Sequence, residues 1–240
     1  MIAVLTAGSN ASAFAASPAE SVPPAVASIA PTDGAVVGVA HPVVVTFTDP
    51  VSGIARSRIE RTITVDSPDR MTGHFTWPDA HTVQWIPDRY WPAHTHVTVG
   101  VQELKTGFNT GDAFLGVASI SGHTFTVSRN GEVLRTMPAS LGKPSRPTPK
   151  GNFTALEKQS SVVMDSRTIG IPLNSPEGYK LTVQYAVRVT WGGVYVHSAP
   201  WSVAQQGNSN VSHGCVNLSP DNAEWYFNNV TVGDPIQVKA

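Results

Sequence analysis

The chain has 240 residues, of which 41% are hydrophobic and 14% charged, enough apolar material for one large core or two small ones. Its 16 basic and 17 acidic side chains nearly cancel, which leaves no nucleic-acid signature, and no apolar run reaches the length of a membrane-spanning helix. A single cysteine, Cys215, excludes an internal disulfide framework.

Residues 1–19 carry no charged side chain, and Ala13-Phe14-Ala15 resembles a signal-peptidase site. A basic leading region is missing and the apolar run Ile2 to Ala7 is short. Residues 1–24 therefore read as a signal-like segment followed by a proline-rich linker from Ser17. Residues 25–117 read as short strands separated by turns: Val36-Val37 after Asp33-Gly34, Val43 to Phe47, Thr62 to Val65, His74 to Trp77, Thr82 to Ile86 and His96 to Val101. Strands at this spacing predict an immunoglobulin-like β-sandwich. No nucleophile–base pair falls in it, so a spacer or docking role is expected.

The second domain is expected over 118–240. It opens with a hairpin, His123 to Ser128 and Val133 to Ser140, turned by Arg129-Asn130-Gly131. Ser140 to Lys150 reads as a loop stiffened by Pro144, Pro147 and Pro149, with Lys143, Arg146 and Lys150 near a cleft. Ala186 to Trp191 and Val194 to His197 predict a hairpin turned by Gly192-Gly193, with Val194 and Val196 on one face and Tyr195 and His197 on the other. Ser219 caps a helix with Pro220 at its first position and Asp221 in its first turn. The fold class is thus all-β with one or two short helices. Residues 118–240 hold 10 basic and 7 acidic side chains against 6 and 10 in residues 1–117. The excess would suit an anionic peptide, although an ordinary solvated surface explains it better.

The chemistry concentrates in Ser212-His213-Gly214-Cys215-Val216-Asn217. Read as extended, this segment puts His213, Cys215 and Asn217 on one face and Gly214, Val216 and Leu218 on the other. The first set suits a cleft and the second a core. A lone cysteine is as often an inert buried residue as a nucleophile. A thiol between two imidazoles, His197 and His213, favours acyl transfer.

These residues resemble the L,D-transpeptidases, bacterial enzymes that cross-link peptidoglycan. The matching pattern runs from His197 through Ser212-His213-Gly214-Cys215 to Asn217. Leu141-Gly142-Lys143 with Thr148-Pro149-Lys150-Gly151-Asn152-Phe153 is a second family-like stretch. Val163-Met164-Asp165, Ile171-Pro172-Leu173 and Gly178-Tyr179 resemble the family's substrate-covering lid. His197-Ser198-Ala199-Pro200-Trp201 is most similar to the mycobacterial enzymes, the shorter ones in particular.

The resemblance implies a catalytic β-sandwich in which Cys215 is the nucleophile and His197 its base. Ser198 would orient His197 through its carbonyl, and His213 would adjust the field. Backbone N–H groups near Gly214 and Cys215 would hold the oxyanion. Met164, Tyr179, Trp201, Ser212 and Asn217 would bind substrate or order the site. The implied partners are peptidoglycan stem tetrapeptides as donor and acceptor, with carbapenem β-lactams as covalent inhibitors. No cofactor, metal or nucleic acid is implied, and a monomer outside the cytoplasmic membrane is expected.

Three alternatives stay open. The same residues would serve an L,D-carboxypeptidase. Two β modules could make a non-catalytic wall-binding protein. Zinc on His197, His213 and Cys215 is disfavoured, because the 213–215 spacing matches no common ligand pair.

Overall fold

Alternating valine-rich segments build the N-terminal module of the computed structural model, which describes residues 23–240. Its elements are β1 (Val26–Ala30), β2 (Val36–Val37), β3 (Val43–Phe47), α1 (Gly53–Glu60), β4 (Ile63–Asp66), β5 (Gly73–Thr76), β6 (Thr82–Pro87), β7 (His96–Val101) and β8 (Leu104–Thr110). They form two four-stranded sheets, β1-β3-β6-β5 and β2-β8-β7-β4. Val43, Val45 and Phe47 alternate inward, as do Val97, Val99 and Val101. Trp91 sits between the sheets, stacked on Trp85 at 5.4 Å and edge-on to Phe108 at 5.9 Å. The signal-like reading of residues 1–24 lies, except for Pro23 and Pro24, outside the described residues.

Three elements here depart from the sequence expectation, the first being β1, which pairs with β3. The helix α1 buries only Ile59 and leaves Ile54 exposed, so no apolar period announces it. Strand β8 pairs with β7 across Gln102-Glu103, although its polar sequence with an internal Gly107 lacks a strand pattern.

The C-terminal module contains β9 (Phe114–Ser119), β10 (Thr124–Arg129), β11 (Glu132–Pro138), β12 (Gly151–Thr154), β13 (Glu157–Asp165), β14 (Lys180–Arg188), β15 (Tyr195–Ser198), β16 (Val216–Leu218), α2 (Pro220–Asn229) and β17 (Pro235–Lys239). One sheet has the order β11-β10-β9-β17-β12 and the other β13-β14-β15-β16. Phe125, Met137, Leu141, Val196, Val216, Leu218 and Ile236 fill the space between them, and Tyr226 of α2 meets Phe125 edge-on at 4.8 Å. The expected break at 117/118 falls inside β9, which pairs with β10 and β17 from Phe114 onward.

The β10–β11 hairpin turns through Asn130 and Gly131, both at positive φ, as a two-residue turn that follows strand twist requires. The β14–β15 connection is longer than the expected Gly192-Gly193 turn. Its ladder ends at Arg188↔Tyr195, and the loop closes through Val189 N–H and Thr190 N–H donating to Val194 O. Ser219 occupies the cap position of α2 but makes no side-chain capping bond.

The two modules meet backbone to backbone. Gly38 N–H donates to Val232 O at 2.9 Å, and Ala40 N–H to Gly233 O at 2.8 Å. A Cβ on Gly38 would lie 2.0 Å from Asp234 N, so this approach requires glycine.

Candidate active site

Strands β15 and β16 are parallel neighbours with His197 opposite Asn217. A parallel pair needs a crossover, and the segment between them carries Trp201 on one side and the Ser212–Cys215 bend on the other. Val216 and Leu218 anchor β16 in the core. The extended reading therefore holds only from Val216 onward; residues 213–215 form a bend. Gly214 has φ +119°, a conformation that side chains disfavour. The bend still delivers Ser212, His213, Cys215 and Asn217 to one cavity.

That cavity has a volume of about 290 Å³ and is also lined by Met164, Tyr179, Leu181, Val183, His197, Trp201 and Val211. Every side chain expected in the site except Ser198 and Gly214 lines it. Leu181, Val183 and Val211 add an apolar wall that sequence reasoning missed. A larger cavity of about 550 Å³ lies at the module junction, lined by Asp112, Arg129 and Asp234 among others. It contains no thiol, so the smaller cavity is the one equipped for covalent chemistry.

His197 is buried, 3% exposed. Its Nδ1 lies 2.8 Å from Ser198 O. A carbonyl can only accept, so Nδ1 carries the proton and Nε2 is left as a free acceptor. Burial pushes the imidazole down to about 4, against a smaller upward effect of the Ser198 carbonyl. Trp201, 55% exposed, covers the ring at 6.0 Å between centroids, tilted by 32°.

The Cys215 thiol donates to Gly193 O at 3.7 Å. Burial pushes it up to about 11, partly opposed by the Tyr195 backbone N–H directed at the sulfur. At rest the thiol and the imidazole that share this cavity are thus both neutral. Nothing in the sequence identified the Gly193 carbonyl as the thiol's acceptor; the diglycine was legible only as a turn.

The backbone around the thiol is held by Ser212. Its Oγ donates to Cys215 O at 2.6 Å and accepts from Gly214 N–H at 3.1 Å. The Gly214 N–H, one of the expected oxyanion donors, is bonded to Ser212 Oγ in this structure. The Cys215 N–H has no protein acceptor among the described residues.

Asn217 is buried and donates through Nδ2 to Ser202 Oγ at 3.2 Å, while Gln206 Nε2 donates to Ser202 Oγ and Ala199 O. This buried network positions the short helical turn Pro200–Ser202 and with it Trp201. Ser202 and Gln206 carried no sequence signal. His213 stacks against Tyr179 at 5.1 Å and turns its Nε2 toward Lys143 and Glu177 at the rim. Burial first, and Lys143 second, hold it below the ordinary histidine range, so it is neutral.

A β-sandwich whose parallel strand ends bring a thiol and an oriented imidazole to one cavity defines a cysteine acyl-transfer enzyme. Residues 114–238 match the family model of the L,D-transpeptidase catalytic domain, and residues 7–105 match that of a bacterial Ig domain. The chain belongs to the L,D-transpeptidase family, whose catalysis uses a cysteine. It is 68% identical over 235 residues to L,D-transpeptidase 1 of Mycobacterium tuberculosis, covering 98% of this chain and 93% of that one. It superposes on an L,D-transpeptidase solved in complex with imipenem with a TM-score of 0.88 and 70% identity, covering 90% of this chain and 100% of the other. L,D-transpeptidase 3 of Mycobacterium tuberculosis, solved with a faropenem-derived adduct, gives a TM-score of 0.85 at 52% identity, with 90% and 98% coverage.

Proposed function

We propose that this enzyme forms 3→3 cross-links between peptidoglycan stem peptides through a thioester on Cys215. The observation that carries the reading is the free Nε2 of His197, held by the Ser198 carbonyl in the cavity that Cys215 lines. As the sulfur attacks the carbonyl of the third stem residue, its proton passes to His197 Nε2. The tetrahedral oxyanion faces the Cys215 N–H; losing one such donor typically raises a barrier by about 2.7–4 kcal/mol. His197 then returns the proton to the departing amine, the C–N bond breaks, and D-alanine leaves. A side-chain amine of a second stem attacks the thioester, its proton returns through His197 to the sulfur, and the cross-link is complete.

The apolar wall of Leu181, Val183, Val211 and Trp201 supports transfer over hydrolysis, because excluding water protects a thioester. Incubation with a disaccharide tetrapeptide tests this. Cross-linked dimers are expected; tripeptide alone would make the enzyme an L,D-carboxypeptidase. The sulfur that takes the peptide is the one a carbapenem acylates. Since the polymer lies outside the cytoplasmic membrane, we place the enzyme there, and protease accessibility on intact cells checks it.

A further inference from the structure

At the rim of the thiol cavity stands a charged cluster that the acyl-transfer scheme does not use. Lys143 Nζ forms an ion pair with Glu177 Oε1 and lies 3.4 Å from His213 Nε2. An ammonium only donates, so His213 Nε2 acts as acceptor there. The other groups facing this cluster are Arg146, on the same loop as Lys143, and the half-buried Tyr179.

The two partners differ in how they are held. Lys143 belongs to the body of the enzyme: its N–H donates to Ser212 O at 2.9 Å, and its carbonyl accepts from Arg146 N–H at 2.8 Å. Ser212 in turn holds the Cys215 carbonyl. The backbone that carries the ammonium is therefore fixed relative to the thiol. Glu177 sits on the lid between β13 and β14, whose neck is braced by buried Ser166: Ser166 N–H donates to Tyr179 O, and Tyr179 N–H to Ser166 Oγ. The Glu177 side chain itself is exposed. With its carboxylate partner open to water, an ion pair of this kind can be exchanged for another carboxylate.

The titratable groups lining the cavity are Tyr179, His197, His213 and Cys215, with no cation among them. An anionic substrate group entering it would meet its counter-charge at the rim, first at Lys143 and then at Arg146. Resting on the peptide-transfer reading, the departing residue brings its own terminal carboxylate one residue beyond the scissile bond, a span of about 3.5 Å in an extended chain. We propose that Lys143 is a specificity-determining residue that pairs with the terminal carboxylate of the departing amino acid, and that Glu177 occupies the place of that carboxylate while the cleft is empty. Exchange of one carboxylate for the other keeps the ammonium paired and unties the lid from the body. His213, already neutral, adds no competing charge.

The test compares two tetrapeptide donors that differ only in a free or amidated terminal carboxyl. Acylation of Cys215 is followed by intact mass in the parent, Lys143→Met, Lys143→Arg and Glu177→Gln. The parent is expected to favour the free acid by about tenfold in kcat/KM, carried mainly by KM. Lys143→Met brings the ratio close to one by losing the acid alone, Lys143→Arg keeps the preference, and Glu177→Gln raises kcat/KM for the acid. Unchanged alkylation of Cys215 in each variant shows that the site is folded. An acid-to-amide ratio that Lys143→Met leaves at the parent value overturns the assignment. If neither peptide acylates a thiol that alkylates normally, the peptide-transfer reading fails first and takes this inference with it.

Discussion

The protonation of the resting thiol has a consequence that alkylation kinetics can read. Cys215 sits at about 11 and His197 at about 4, some seven units apart. Moving the proton from sulfur to ring therefore costs about 10 kcal/mol before the charges attract. The neutral forms are therefore favoured, and the bond from the thiol to Gly193 O favours the protonated sulfur as well. At pH 7 about one sulfur in ten thousand is then a thiolate. The rate of alkylation by iodoacetamide should climb about tenfold per pH unit from pH 7 to pH 10, and thiolate absorbance should be missing at pH 7. Proton transfer to His197 would accompany attack on substrate rather than precede it. A rate that is flat between pH 6 and pH 9 would refute the reasoning, since it requires a preformed thiolate–imidazolium pair.

Two other predictions follow from titrating groups. His197→Gln removes the acceptor Nε2 and should slow acylation of Cys215 by about a hundredfold or more, measured by stopped-flow with imipenem. In the parent, with His197 at about 4, acylation should show no loss of base between pH 8 and pH 6. Asp234 is buried at the module junction, where burial pushes its carboxyl up to about 7 from 3.8. The native state then holds a proton that the unfolded chain has lost, so stability falls as pH rises from about 4 to about 7. Asp234→Asn should gain up to about 4 kcal/mol over the parent at pH 8, with the gap closing toward pH 4 in urea denaturation. A gap independent of pH contradicts the shift.

The parts of this molecule legible in the sequence are those where one local pattern decides the outcome. Alternation marked β3, β6 and β7, and Asn130-Gly131 marked its hairpin. The Ser212–Asn217 run put the reactive side chains in one cavity, although a bend rather than a strand presents them. The signal failed where long-range partners decide. Strand β8 is a strand because β7 pairs with it, and α1 shows one buried side chain. No spacing rule joins the Gly214 amide to Ser212 Oγ, which accepts from it. Glu177 lies on the lid, far in sequence from the loop that carries Lys143, and no spacing rule joins them. Ser202 and Gln206 matter because Asn217 lies above them in space.

The claim on which the mechanism rests is that the Cys215 sulfur carries the acyl group. Intact-protein mass after incubation with imipenem tests it most directly. The account predicts a single adduct on the parent enzyme and none on Cys215→Ala. An adduct of equal yield on Cys215→Ala, or none on a folded parent, would contradict it.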